Sequence, residues 1–284
     1  MTLASPAPEA TGQVAWADGP VPDRLPHAVW RSPLVEVQRQ EGLFRIPTVA
    51  RLLVPTDGPP TVERRAGVGA AELDCFVNGP VRALQGLLGG HFALRGSAVL
   101  VDDGALLIAG DSGAGKSALV ATLMRTGSPV VADGYIFVDA GEPPTVRVTS
   151  TKVGLWPDTV RALEMDSAHG ELVRTGLAKR AFASPVPLAG DNIPVRKLVV
   201  LSIGAPSGGS HGPIVEPQSL DLPTAMRTVA ALGYLGQAVT PLGLSRDHAR
   251  WLMSLVSLRP VQLSRRGGGM AESLAELARA AVDA

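Results

Sequence analysis

Apolar residues along this chain switch between two spacings, and the switches mark its elements. Ala105-Leu106-Leu107-Ile108-Ala109 is an unbroken apolar run, which predicts a buried strand. From Ser117 to Arg125 the period changes. Leu119, Val120, Leu123 and Met124 fall at helical spacing, and Gly127 stands where a C-terminal cap belongs. Residues 94–101 form a strand that pairs with 105–109 across Asp102-Asp103-Gly104, a hairpin signal. A short strand, Ser128-Pro129-Val130-Val131-Ala132-Asp133, is expected to end at its carboxylate. Strands over 135–138 and 145–148 then flank the turn Gly141-Glu142-Pro143-Pro144.

The same reading organises the rest. Residues 1–25, rich in Pro, Ala and Gly, are expected to be disordered. Short β-patterned runs occupy 28–30, 43–46 and 49–54, broken at Asp57-Gly58-Pro59-Pro60, and a helical region covers about 69–89 with an interruption at Gly79-Pro80. A helix is expected over 156–164 and a strand over 197–202, followed by a flexible loop at 206–210. Amphipathic helices over 222–235 and 245–258, the second capped by Ser245, precede a strand at 260–263 and a closing helix at 271–282. There is no internal repeat. The expected division is a small β/α subdomain over 26–92 and a larger α/β domain over 93–284.

Composition removes several classes of function. Lys and Arg number 26 and so do Asp and Glu, so no net basic field attracts nucleic acid. No run reaches the roughly 20 apolar residues that cross a bilayer. Met1-Thr2-Leu3-Ala4-Ser5-Pro6 lacks the basic and apolar regions of a signal peptide, so the expected location is the cytoplasm. Cys75, the one cysteine, reads as a packed residue. His27, His91, His169, His211 and His248 lack metal-ligand spacing.

The chemistry is concentrated between the buried strand and the helix. Gly110-Asp111-Ser112-Gly113-Ala114-Gly115-Lys116-Ser117 matches the phosphate-binding-loop pattern in full, in the required order of strand, loop and helix. The glycines let backbone N–H groups curl around phosphate oxygens, Lys116 can reach the β- and γ-phosphates, and Ser117 can ligate Mg²⁺. Ser112 is part of this loop, without the G-x-S-x-G surroundings of a nucleophilic serine. The best carboxylate is Asp133, 17 residues past Lys116, because the later strand at 197–202 ends in Ser and offers none. It can accept a proton from an attacking hydroxyl, ligate the metal, or do both; its plainer reading is a turn aspartate ahead of Gly134.

From Arg95-Gly96-Ser97-Ala98-Val99 through the loop to Val131-Ala132-Asp133-Gly134, the chain resembles the catalytic core of HPr kinase/phosphorylase. Beyond that stretch it is similar to stand-alone HPr-kinase-like proteins, some of them in peptide natural-product pathways. The resemblance implies a P-loop α/β core of the HPr kinase and phosphoenolpyruvate carboxykinase type, with a mixed sheet and additional antiparallel hairpins. It also implies phosphorylation of a serine hydroxyl. Three departures weigh against the family's reverse reaction. Arg95 stands for a His, Gly134 for the second of two aspartates, and Thr151-Lys152-Val153-Gly154-Leu155-Trp156-Pro157-Asp158 for a glycine-rich segment.

The reading is therefore an ATP- and Mg²⁺-dependent kinase acting on a Ser or Thr of a peptide or small protein. A small-molecule alcohol kinase and a nucleotide-binding module without catalysis are the alternatives. Asp133, Lys116 and Arg95 are the catalytic candidates; Gly110, Asp111, Ser112, Gly113, Ala114, Gly115, Lys116 and Ser117 hold nucleotide; Ser117 and Asp133 hold metal. Arg95 suits a phosphate equally as well as a solvent-facing strand end. Lys179-Arg180, read as a polar linker, suits a phosphate or an acidic peptide, or plain solvation. Lys152 and Arg265-Arg266 read as surface charge, and Gly267-Gly268-Gly269 as a hinge. Neither nucleic acid nor membrane is an expected partner, and self-association into a homo-oligomer stays open.

Overall fold

The computed structural model describes residues 14–174, 176–188, 190–203, 215–265 and 270–283. The expected loop at 206–210, the glycines at 267–269 and Arg266 lie outside them. The chain divides into two compact units, residues 1–93 with 233–250, and residues 94–232 with 251–284. The segment 233–250 belongs with the first unit.

The first unit is built on a six-stranded sheet in the order Ala17–Asp18, Thr61–Arg64, Ala50–Pro55, Glu41–Ile46, Val35–Val37, Trp30–Arg31. Ala50, Leu52 and Val54 alternate inward along one strand, the period-two signature of a sheet with one buried face. Against the core lie Leu73, Val77, Val81 and Leu84, spaced four, four and three residues apart and all fully buried. Gly79-Pro80 interrupts that helical run with a π-helical turn over Val77–Val81, because Pro80 has no N–H for the ladder. Tyr234 Oη donates to the Pro80 carbonyl at 3.0 Å. Disorder over 1–25 is corrected for residues 14–25. Ala17–Asp18 pairs in parallel with Thr61–Val62, and Val21 and Leu25 are buried with Leu43. The two apolar side chains, four residues apart in a Pro-rich run, find places in the core.

The second unit carries a mixed seven-stranded sheet, ordered Thr145–Arg147, Val130–Asp139, Ala93–Val101, Gly104–Gly110, Asn192–Ile203, Val261–Arg265, Val215–Ser219. Gly104–Gly110 runs antiparallel to Ala93–Val101 across the two-residue turn Asp102-Asp103, and parallel to Asn192–Ile203. Every residue of Gly104–Gly110 is buried, as its unbroken apolar run requires. The helix Lys116–Arg125 buries Leu119, Val120, Leu123 and Met124 on this sheet, in a cluster shared with Leu274 and Leu277 of the closing helix Met270–Asp283. Each fully buried side chain of this kind contributes about 1.5–3 kcal/mol.

A three-stranded sheet of Lys152–Leu155, Arg180–Ala183 and Glu171–Leu172 completes the unit. Its presence corrects the linker expected at Lys179-Arg180, since Arg180 opens a strand that pairs residue for residue with Lys152–Leu155. The strand expected to end at Asp133 and the one expected over 135–138 are a single strand, Val130–Asp139, with a glycine inside it. Gly134 takes φ +93°, a conformation L side chains rarely adopt, so the chain bends there without leaving the sheet.

Candidate functional site

The phosphate-loop segment joins the C-terminal end of Gly104–Gly110 to the N-terminus of the helix Lys116–Arg125. Helix N-termini offer unpaired N–H groups and positive potential, which suits an anion. Gly110 packs so closely on the neighbouring strand that a Cβ there would stand 2.4 Å from the Leu201 carbonyl oxygen. Only glycine lets the loop leave the sheet at this point.

Lys116 opens the helix and turns its ammonium back onto the loop, donating to the Gly110 carbonyl at 2.9 Å and the Asp111 carbonyl at 2.7 Å. Burial pushes its pKa below the ordinary lysine value. Asp133 and Asp111 oppose that shift, while Lys179 and Arg95 add to it. A cation already penalised by desolvation and by two other cations gains from an arriving polyphosphate.

Among the described residues, Asp133 is held by neutral donors alone. Ser97 Oγ donates to Oδ1 at 2.6 Å, Ser117 Oγ to the same oxygen at 3.2 Å, and the Gly154 backbone N–H to Oδ2 at 2.9 Å. By donating inward, the Ser117 hydroxyl keeps its lone pairs for another partner. The Ser117 hydroxyl and the Asp133 carboxylate thus form the kind of hard oxygen pair that Mg²⁺ takes together with water and substrate phosphates. Among the described residues no group of three or more His, Cys, Asp or Glu could hold a metal by itself.

These groups line one cavity of about 720 Å³ that also takes in Arg95, Tyr135, Trp156 and Lys179. Arg95 and Ser97, two apart on one strand, share a face, as do Asp133 and Tyr135 on another. Burial raises the Tyr135 phenol above its ordinary range, and Arg95 pulls it partly back. Arg95 is exposed and, among the described residues, makes no ion pair. Lys179 reaches the cavity by passing over Gly154, where a Cβ would stand 2.7 Å from its Cε.

Other candidates stand elsewhere. Arg180 does not line the cavity; its guanidinium donates to the Gly170 carbonyl at 2.5 Å. Lys152 is tied to Glu171 at 2.6 Å. Arg265 ends a strand. Cys75, half-buried, donates to the Glu72 carbonyl. The hollow of about 430 Å³ beside Asp18, Glu63 and Arg64 in the first unit holds charges closed on one another, Arg64 on Asp18 at 2.6 Å.

Two members of the site escaped sequence reasoning. Ser97 is a serine in an apolar strand, and only its spacing of two from Arg95 marks its face. Gly154 acts through its backbone and its missing side chain, which no residue-type argument detects.

No family model matches the chain. No curated protein matches it either. Among solved structures it is similar to the HPr(Ser) kinase/phosphatase from Coxiella burnetii, at 12% identity and a TM-score of 0.31, over 68% of this chain and 99% of that one. No described helix is long and apolar enough to cross a membrane.

Proposed function

We propose that this protein is an ATP- and Mg²⁺-dependent kinase that phosphorylates a Ser or Thr hydroxyl of a peptide or small protein. One observation carries the reading: the Asp133 carboxylate accepts a hydrogen bond from the Ser117 hydroxyl beside a complete phosphate-loop sequence, with no cation among the described residues bonded to it. In this reading the loop amides and Lys116 hold the β- and γ-phosphates. Ser117 and Asp133 hold Mg²⁺, which when bound neutralises phosphate charge. Arg95 and Lys179 face charge on the transferred group from the other walls of the cavity.

Phosphoryl transfer asks mainly for positioning and charge neutralisation. The bond between the γ-phosphorus and its bridging oxygen breaks, a bond to the acceptor oxygen forms, and ADP leaves. The hydroxyl proton passes to Asp133, whose Oδ2 accepts only the Gly154 N–H among donors of the described residues and so keeps a lone pair. Gly134 and Arg95, standing where the resembled family has a second aspartate and a histidine, argue against the reverse, phosphate-driven reaction. Phosphorylated acceptor mixed with inorganic phosphate and Mg²⁺ should therefore release little pyrophosphate.

The test is phosphate transfer from labelled ATP to peptide acceptors, compared with metabolite alcohols. Transfer to peptides that disappears in Asp133→Asn supports the reading. Transfer to small alcohols alone identifies an alcohol kinase, and ATP binding without any transfer identifies a binding module.

A further inference from the structure

Seven large hydrophobic side chains are exposed among the described residues, and Trp156, at 50%, is the only aromatic one. It is also one of the cavity's lining residues. A half-exposed indole in the lining of a charged cavity offers apolar surface that a bound side chain would cover favourably.

Its position in the chain says which end of the cavity it serves. Gly154, two residues earlier, gives its N–H to Asp133 Oδ2. Trp156 is itself extended, with φ −80° and ψ 155°, so it lies roughly 6–7 Å along the chain from that contact. Across the small sheet the last pair is Leu155 with Arg180, so Trp156 and Lys179 follow directly at the same end of the two strands. Trp156 thus lines the cavity next in the chain to the segment that contacts the carboxylate and the Lys179 stem. A nucleotide bound with its phosphates on the loop puts its γ-phosphoryl group at this end and its base at the other. The group that must approach from outside here is the acceptor.

We propose that Trp156 is a positioning residue for the acceptor: its indole holds a large apolar or aromatic side chain adjacent to the target Ser or Thr of an extended peptide. The inference rests on the peptide-kinase reading and adds a sequence preference to it. Packing of one such side chain against an indole favours the flanked peptide about five- to tenfold.

The experiment uses the full chain, labelled ATP and synthetic pentapeptides, acetyl-Gly-Xaa-Ser-Gly-Gly-amide and acetyl-Gly-Gly-Ser-Xaa-Gly-amide, with Xaa as Trp, Leu, Gly or Lys. Wild type should show a KM about five- to tenfold lower for Trp or Leu than for Gly on one side of the serine. Trp156→Ala should erase that difference, leaving the KM of the glycine peptide and the Kd of Mg-ATP unchanged, and Trp156→Phe should restore most of it. Absence of flank preference in wild type overturns the inference. So does a Trp156→Ala variant that weakens Mg-ATP binding and leaves every peptide KM alone, which would assign the ring to the base. If ATP binds and no peptide is phosphorylated, the peptide-kinase reading fails and this inference with it. Transfer without flank bias sinks the inference alone.

Discussion

Two carboxylates, one in each unit, are both tied into the protein, and the difference between their partners separates structure from chemistry. Glu36 in the first unit is 4% exposed. It accepts the Leu25 N–H at 2.9 Å and pairs with Arg45 at 2.7 Å and Arg31 at 3.5 Å. Burial pushes its pKa up, but the Leu25 N–H and the two guanidiniums outweigh burial and hold it below the ordinary glutamate value. Asp133 in the second unit receives two hydroxyls and one backbone N–H, and faces a cavity. Glu36 has its charge cancelled on the spot, as a buried structural pair must. Asp133 is oriented as firmly, with its charge left for something that arrives.

The sharpest way to break this comparison is Asp133→Asn, which keeps the shape and removes the charge and the proton acceptor. General-base catalysis is worth about 10²–10⁴-fold, so kcat should fall by that factor while calorimetry finds ATP affinity nearly unchanged. Near-normal transfer would make Asp133 a second Glu36, a purely structural carboxylate. Lys116→Ala comes next. Loss of a charge-assisted contact, about 1.5–3 kcal/mol, should weaken ATP binding roughly ten- to a hundredfold and abolish turnover. Unchanged affinity would remove the loop from the site.

Glu36→Gln should act in the opposite sense, leaving ATP affinity intact and lowering stability by about 1–3 kcal/mol, read as a shifted denaturation midpoint. Because the folded pKa of Glu36 is lowered, its contribution is present above the ordinary value of 4.5 and is lost as pH falls through the folded value. The variant should therefore lose less stability than wild type on acidification below about pH 4.5. The smallest effect belongs to Ser97→Ala. It removes one of two hydroxyls from Asp133 Oδ1 and should lower kcat about three- to tenfold, the worth of a single hydrogen bond.

What could be read from the sequence followed from how each residue acts. The strand, loop and helix around Gly110–Ser117 were legible because an apolar run, a change of period and spaced glycines each depend on residue type. The hairpin at Asp102-Asp103 was legible for the same reason. The sheet of Lys152–Leu155, Arg180–Ala183 and Glu171–Leu172 was not, since its strands have two to four residues and too few positions to show a period. That the strands on either side of Gly134 are one was not legible, because a positive φ inside a strand and one between two strands call for the same residue. Within the site, Lys116, Ser117 and Asp133 carry their chemistry in their side chains and could be singled out. Gly154 carries its share in an N–H that every residue but proline possesses.

That same glycine constrains how the protein can change. Its amide fixes a negative group and its bare α-carbon admits the stem of a positive one, so a single codon governs both. A methyl there would leave the amide in place and push aside Lys179, the flexible partner, shifting one charge without touching the other. Along this stretch Lys152 is tied to Glu171 and Trp156 lines the cavity, but only position 154 touches both charges, and it is the one to hold constant when the strand is varied. A lineage accumulating substitutions here would meet the same boundary.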